Sequence, residues 1–187
     1  MKILKSFLNQ FGPLSAPTLT SLVAVFEFDE LKKGDYFIRE GEYASEIAFL
    51  GSGIVRAFYI SSQGKEYNKS FFVAPSMIGS YAALISKEKN RLPQQALSDC
   101  TIWRAKFKTL EQLSKNNHEI ERLRRNMAEQ FFVWNEKKQL DMALLDAKER
   151  YLIFKTEYSA IESVIPQYHI ASYLGISPTQ LSRIRQQ

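Results

Sequence analysis

In the first half of the chain, hydrophobic and polar residues alternate over short stretches that are separated by turn-forming residues. Six of the eight glycines fall between Gly34 and Gly79, and strand-forming residues fill the intervals, for example at 46–50 and 54–60. Alternation over four to eight residues is typical of a strand with one buried face. Short strands at this spacing predict a small antiparallel sandwich or barrel. Upstream, Ser15 followed by a proline two positions later predicts the start of a short helix.

From Phe107 onward the period of the hydrophobic pattern becomes helical. Apolar residues recur three and four positions apart and form one stripe on a helix of about 117–138, which would be roughly 30 Å long. The stripe consists of Ile120, Leu123, Met127, Phe131 and Trp134. Three of these residues are seven positions apart, as in a two-helix seam. We predict that the five residues form a dimer seam; the alternative is a helix packed against its own sheet.

Composition narrows the class of protein. Hydrophobic residues make up 45% of the chain and charged residues 24%, which suits an ordinary folded core. No apolar run approaches the roughly 20 residues of a membrane helix, so we expect no membrane partner. The first residues contain no secretory core, and we therefore expect a cytoplasmic protein.

The reactive residue types exclude several kinds of site. A single cysteine, Cys100, excludes a disulfide framework and a cysteine-ligated cluster. The first 100 residues contain no histidine, which excludes the histidine metal site of an enzyme built on a cupin-like barrel. We also find no P-loop and no nucleophile triad. We therefore expect no catalytic residues, no metal and no identifiable cofactor.

The last segment of the chain points to a polyanionic partner. The net charge of the chain is +5, and from Val164 onward there are two arginines and no acidic side chain. The segment predicts two short helices: Pro166 suits a first helical position, Gly175 can end that helix in the left-handed conformation, and Ser177 can cap the second helix. The side chains expected to be buried are Ile170, Leu174, Ile176, Leu181 and Ile184.

This segment resembles the helix-turn-helix of DNA-binding proteins; the alternative is a helical hairpin that only caps the core. The residues that match the spacing of the motif are Gln167, Ala171, Gly175, Leu181 and Ile184. Residues 33–42, 47–50 and 53–56 resemble the opening strands of a cyclic-nucleotide-binding jelly roll. The combination of jelly roll, long helix and C-terminal helix-turn-helix resembles the Crp/Fnr family of bacterial transcription regulators.

The resemblance implies an α+β fold in three parts. These are an N-terminal jelly-roll effector domain at 1–115, a long dimerisation helix at 116–138 and a small helical helix-turn-helix domain at 139–187. It also implies a homodimer that presents two recognition helices to successive major grooves of double-stranded DNA, with RNA polymerase as a further partner. Little sequence separates Tyr158 from Pro166, so we expect the strands of a winged helix to be reduced or missing.

Two alternative functions follow from the same pattern. One is a ligand-binding module with this fold and no role at DNA, and the other is an enzyme on a cupin-like barrel. The intact helix-turn-helix argues against the first, and the missing histidines argue against the second.

The effector pocket departs from the pattern of the family members that bind cyclic AMP. The resemblance implies a pocket formed by Gly79, Ser80, Tyr81, Ala82 and Arg91. Ser80 stands where those members have a glutamate for the ribose, and Asn90 stands where they have the arginine for the phosphate, with Arg91 one position late. A buried phosphate without a matched cation is costly. We expect no tight binding of cyclic AMP and leave the effector, if there is one, unidentified.

The second helix of the motif carries the residues expected to contact DNA. Thr179, Gln180 and Arg183 lie three and four positions apart on its outer side, away from Leu181. By resemblance, Arg183 reads a guanine edge; the alternative is a phosphate contact. The residues expected at phosphates, which position a protein on DNA without specifying sequence, are Gln167, His169, Ser177, Ser182 and Arg185.

Overall fold

The computed structural model describes residues 1–186, which form two compact units. The first unit contains residues 1–57 and 71–130, and the second contains residues 58–70 and 131–186. The predicted boundaries at residues 115 and 138 do not coincide with this division. The long helix contributes to both units. Residues 58–70, which form a β-hairpin, belong to the same unit as the C-terminal helices.

The first unit begins with two helices and then forms two four-stranded sheets. The helices are α1 (Lys2–Asn9) and α2 (Ala16–Val23); the strands are β1 (Glu27–Leu31), β2 (Tyr36–Ile38), β3 (Glu46–Ser52), β4 (Ile54–Ile60), β5 (Glu66–Val73), β6 (Ser76–Ile78), β7 (Gln94–Ala96) and β8 (Cys100–Lys106). One sheet has the order β1-β8-β3-β6 and the other β2-β7-β4-β5. Antiparallel pairing joins β8 to β1 and β3, and β7 to β2 and β4. This is the antiparallel sandwich that the alternating pattern predicts.

The strands pair in this way because their apolar faces can be buried between the sheets. One core cluster contains Leu31, Ala48, Leu50, Val55, Ile78, Ala96, Cys100 and Ile102. The turn between β3 and β4 requires Gly53, which has φ +96°, because a Cβ atom there would lie 2.5 Å from the sulfur of Cys100. Cys100 is a buried core residue, and this burial raises the pKa of its thiol.

Six further helices lie within residues 1–186. They are α3 (Tyr81–Ser86), which precedes β7, and α4 (Phe107–Lys115), α5 (His118–Leu144), α6 (Ala147–Glu157), α7 (Gln167–Leu174) and α8 (Pro178–Arg185), of which the last five follow β8 in order. Helix α5 continues six residues beyond the predicted end at 138. Helix α6 begins at a capping box of Asp146 and Glu149, a signal that the sequence analysis overlooked. Between α6 and α7 the described residues form turns and no strand. None of the helices within residues 1–186 is long and apolar enough to span a membrane.

The first half of α5 is buried in the core of its own chain. Ile120 and Leu123 are almost fully buried beside Leu4 and Leu8 of α1, and Met127 packs against the same cluster. Polar contacts hold the N-terminal segment on this part of α5. The side-chain amide of Asn126 donates to the backbone carbonyl of Phe11 at 2.6 Å. The guanidinium of Arg122 donates to the carbonyl of Pro13 at 2.8 Å. The hydroxyl of Ser15 donates to the carboxylate of Glu119 at 2.8 Å.

Three of the five predicted seam residues pack against the core of their own chain, and two of these, Ile120 and Leu123, are almost fully buried there. Ile120, Leu123 and Met127 form the side of α5 that packs against the chain's own core, which is the alternative left open by the pattern. A helical period does not distinguish a face covered by the same chain from a face covered by a second chain.

The second unit has an aromatic core built from α6, α7 and the turns between them. Phe154 stacks on Tyr158 with a centroid distance of 5.1 Å, and both rings contact Tyr173 of α7. Burial raises the pKa of the Tyr173 hydroxyl well above its ordinary value.

A lysine of α5 lies beside this aromatic core. The ammonium group of Lys138 is 3.8 Å from the centre of the Tyr173 ring, contacts the face of Trp134 and donates to the carbonyl of Lys69 in the hairpin. The pKa of Lys138 is lowered to about 7, chiefly by burial and in addition by the nearby charge of Lys69, while Glu157 of α6 opposes the shift.

The stability of the second unit is expected to rise with pH because of Lys138. Its pKa is about 7 in the folded state against an ordinary value of 10.5, so above pH 7 the unfolded chain binds more protons than the folded one. The free energy of unfolding then rises with pH, by at most about 1.4 kcal/mol per pH unit. Lys138→Met should remove this rise and should stabilise the unit most at pH 6. Urea unfolding followed by Trp134 fluorescence, in a Trp103→Phe background, measures the effect.

Lys137→Met is the matched control for this prediction. Lys137 is the preceding residue on α5 and is largely exposed, with its ammonium group 3.2 Å from Glu157. Its replacement should leave the pH dependence between 7 and 9 unchanged. Parallel stability curves for the wild type and the Lys138→Met variant over this range would contradict the assignment.

Candidate nucleic-acid interface

The turn between α7 and α8 has the geometry that the sequence predicts. Gly175 ends α7 in the left-handed conformation with φ +70°, and the amide of Ile176 donates to the carbonyl of Ala171 at 3.0 Å. Ala171 is buried at the place where the two helices cross. The hydroxyl of Ser177 accepts from the amide of Gln180 at 3.1 Å and so caps α8. These contacts fix the direction in which α8 leaves the turn.

One side of α8 is exposed to solvent and polar. Leu181 is buried against the rest of the unit, whereas the exposed residues of the helix include Thr179, Gln180, Ser182 and Arg183. Thr179 and Arg183 are four positions apart and therefore project from the same side. The N-terminal end of the helix, with Ser177, is exposed as well. This side offers hydroxyl, amide and guanidinium donors to a ligand that lies across it.

Arg185 forms an ion pair within its own chain. Its guanidinium lies 3.2 Å from the carboxylate of Glu162, which belongs to the turns between α6 and α7. The phosphate contact predicted for Arg185 assumed a side chain without an acidic neighbour. Glu162 lies two positions before the segment in which the sequence has no acidic residue, so the charge count alone does not reveal this pair.

His169 is buried, and the prediction that it contacts a DNA phosphate does not agree with its position. Only 5% of the residue is exposed. Asn68 lies in β5, within the hairpin that β4 and β5 form. Its side-chain amide donates to the backbone carbonyl of His169 at 3.0 Å and lies 3.1 Å from the Nδ1 atom of that residue. The side-chain nitrogen of Asn68 thus faces two polar atoms of the same residue. Gln167, the first residue of α7, is half-buried.

The hairpin makes further hydrogen bonds to α7. The backbone amide of Asn68 donates to the hydroxyl of Ser172 at 2.9 Å. This hydroxyl donates in turn to the backbone carbonyl of Glu66 at 3.2 Å. The sequence predicts strands in this segment, at 54–60 for example, but no contact between it and α7. About 100 positions separate the partners in the chain, so no local pattern could have connected them.

The second half of α5 exposes a different set of apolar residues. Phe132 is 67% exposed and Leu144 is 76% exposed, and Val133 and Leu140 are exposed between them. Phe131, a predicted seam residue, is also exposed, and it stacks on Trp134, which is half-buried. The apolar surface available to a partner is thus formed by residues 131–144, and most of it lies outside the predicted stripe.

The predicted effector residues in the first unit are held by the protein's own side chains. The amide of Gly79, just before α3, donates to the side-chain oxygen of Gln94 at 2.9 Å. Asn90 is buried; its side-chain amide donates to the carbonyl of Arg39 at 2.9 Å and its side-chain oxygen accepts from the amide of Leu92. Ser80 is buried, whereas the remaining predicted pocket residues, Tyr81, Ala82 and Arg91, are exposed.

No group of three or more histidine, cysteine, aspartate or glutamate side chains within residues 1–186 is arranged to hold a metal ion.

Comparison with known proteins gives consistent results for both units. The cyclic nucleotide-binding domain family matches residues 28–117, which lie in the sandwich and the first helices after it. The transcriptional activator protein Anr of Pseudomonas aeruginosa is 22% identical over 191 aligned positions, which cover 92% of this chain and 78% of Anr.

Two solved structures share the fold over most of the chain. The structure of FixK2 from Bradyrhizobium japonicum has a TM-score of 0.75 and 22% identity, and the match covers 87% of this chain and 83% of FixK2. A protein of Eubacterium rectale described as a transcriptional regulator of the Crp/Fnr family has a TM-score of 0.73 and 16% identity, with 95% and 86% covered. The domain match in the first unit, the similarity to Anr along most of the chain and the shared fold make this chain similar to the Crp/Fnr transcription regulators.

Proposed function

We propose that the protein is a homodimeric transcription regulator that acts in the cytoplasm and reads a pseudo-palindromic DNA operator with helix α8. The observation that carries the proposal is the exposed side of α8, where Thr179 and Arg183 project together from a capped helix that follows the left-handed turn at Gly175. A helix presented in this way fits the major groove, and its outward residues reach base edges. The relatives are transcription regulators, which supports the same role.

The residues of the interface have two kinds of role. Thr179, Gln180 and Arg183 face the bases, and Arg183 makes a bidentate contact to a guanine edge. Ser177 and Ser182, at the cap and on the flank of α8, contact phosphates together with the exposed part of Gln167. His169 is not part of this set, because its imidazole is buried against the hairpin.

The apolar residues in the second half of α5 form the contact with a second copy of the chain. Phe132, Val133, Leu140 and Leu144 occupy one side of the helix over more than three turns, and this side carries too much apolar surface for an isolated chain. A second α5 is a suitable partner because a two-fold interface brings the same face of both copies together. The dimer places one α8 at each end of a palindromic site.

The effector domain does not respond to cyclic AMP in this proposal. The backbone amide at Gly79 and the side chain of Asn90 are bonded to the protein itself, and Asn90 carries no charge to balance a phosphate. The exposed Arg91 would have to replace a matched, desolvated cation, which an exposed side chain does poorly.

Replacement of Arg183 tests the readout of bases. Arg183→Ala should remove discrimination at one base pair of each half-site, worth about 1–3 kcal/mol, while affinity for the other positions keeps its pattern. Binding to a randomised operator library at fixed salt concentration measures this. Ser182→Ala is the matched control, because loss of a phosphate contact weakens all sequences alike. A uniform loss of affinity for the Arg183→Ala variant would make Arg183 a phosphate contact, and absence of DNA binding by the wild type would refute the proposed function.

Charged substitutions on the exposed side of α5 test the dimer. Phe132→Glu combined with Leu140→Glu should reduce the mass measured by light scattering at micromolar concentration from that of a dimer to the 21.6 kDa of one chain. The circular dichroism of the variant should stay unchanged, since both residues are exposed. Ile85→Glu, at an equally exposed apolar position on α3, should leave the dimer intact. A monomeric wild type or a dimeric double variant would contradict the proposed dimer contact through the second half of α5.

Calorimetry tests the absence of a cyclic AMP response. Titration of the dimer with cyclic AMP should give no binding in the micromolar range, and DNA affinity should be unchanged at millimolar cyclic AMP. The physical reason is the missing charge partner for the phosphate at Asn90. A micromolar dissociation constant would show that Arg91 moves to meet the phosphate and would overturn this part of the proposal.

A further inference from the structure

Arg185 lies on a different side of α8 from the residues that face DNA. It follows the buried Leu181 by four positions, which places the two side chains on nearly the same face of the helix. Arg183 follows Leu181 by two positions and therefore points about 200° away from it. The two arginines at the end of the chain thus project in different directions.

The guanidinium of Arg185 joins a polar cluster within the second unit. It lies 3.2 Å from the Oε1 atom of Glu162, and the hydroxyl of Tyr151 donates to the same oxygen at 2.6 Å. Tyr151 is buried, and the side chain of Glu162 is only 16% exposed. Burial and the carboxylate of Glu162 raise the pKa of the Tyr151 hydroxyl, so Tyr151 stays a donor at neutral pH.

This cluster connects three parts of the unit. Tyr151 belongs to α6, Glu162 to the turns that follow it and Arg185 to the last turn of α8. A largely buried carboxylate needs its charged partner, because removal of that partner leaves an uncompensated charge. Helix α8 has eight residues, too few to be stable alone, and Leu181 is its fully buried contact. The pair between Arg185 and Glu162 is therefore well placed to hold the last turn of α8 in position.

We propose that Arg185 is a positioning residue for the recognition helix and not a phosphate contact, and that Glu162 is the residue that holds it. This inference rests on the proposed DNA-binding function of α8. Arg185 and Glu162 set the angle at which Thr179 and Arg183 meet the base edges. Glu162 gives Arg185 inside the protein the anionic partner that a DNA phosphate would otherwise supply.

Two isosteric substitutions test the pair from both sides. Arg185→Met keeps the aliphatic stem and removes the charge, and Glu162→Gln keeps the shape and removes the charge. Each should weaken operator binding by about three- to tenfold, and the double variant should bind no more weakly than the weaker single variant, because both changes remove one interaction. The slope of log affinity against log salt concentration should equal that of the wild type, because no phosphate contact is lost.

The opposite result has a clear signature. If Arg185 contacts a phosphate, Arg185→Met should flatten the salt slope by about one unit, and Glu162→Gln should bind DNA as tightly as the wild type or more tightly. Either observation would overturn the inference.

Amide hydrogen exchange tests the anchor without DNA and so separates it from the proposed function. In the full-length protein, Arg185→Met and Glu162→Gln should both speed exchange of the amides of residues 181–185, while exchange in the first unit stays unchanged. Arg183→Met is the matched control, because Arg183 is exposed on the same helix, and it should leave these rates as in the wild type. Unchanged exchange in both variants would refute the anchor, whether or not the wild type binds DNA.

Discussion

The burial of the first half of α5 is the constraint on which the architecture of this chain depends. Ile120 and Leu123 complete a core that also contains α1, α2 and the face of β3 and β8 that carries Phe49 and Ala105, and side chains of α5 bond to the backbone of the N-terminal segment. A face that is already covered by its own chain cannot receive a second one. The exposed apolar surface of α5 therefore begins near Phe131. The apolar residues in the first half of the helix are covered by the same chain, and those in the second half face solvent.

In the second unit, α7 and α8 are joined to other parts of the unit by paired polar side chains. The side-chain amide of Asn68 bonds to the carbonyl of His169 in α7 and lies 3.1 Å from its Nδ1 atom. Glu162 accepts from Tyr151 and from Arg185 of α8. Buried donors and acceptors permit few alternative arrangements, because each lost partner costs a full desolvation penalty. Such contacts orient the two helices more strictly than the apolar core could do alone.

The first unit resembles a cyclic nucleotide-binding domain, and several of its polar side chains bond to its own backbone. Gln94 accepts from the backbone amide before α3, and Asn90 bonds to the backbone at both ends of its side chain. These neutral groups satisfy one another without a ligand charge.

Much of the fold could be predicted from the sequence because the signals are local. Alternating residues predict the strands near Phe49, a glycine predicts the end of α7, and a serine predicts the cap of α8; each depends on a period or a single backbone conformation. The exposed positions of Thr179 and Arg183 follow in the same way from helical spacing.

The tertiary structure decided which side chains have partners. A helical stripe at Ile120, Leu123 and Met127 looks the same whether an internal helix or a second chain covers it, and only the fold brings α1 onto it. His169 and Arg185 look like DNA contacts in a basic segment until Asn68 and Glu162 come within hydrogen-bonding distance. Sequence by itself determines what a residue can do and on which side of an element it lies. The groups that meet it from distant parts of the chain depend on long-range packing, which no local pattern encodes.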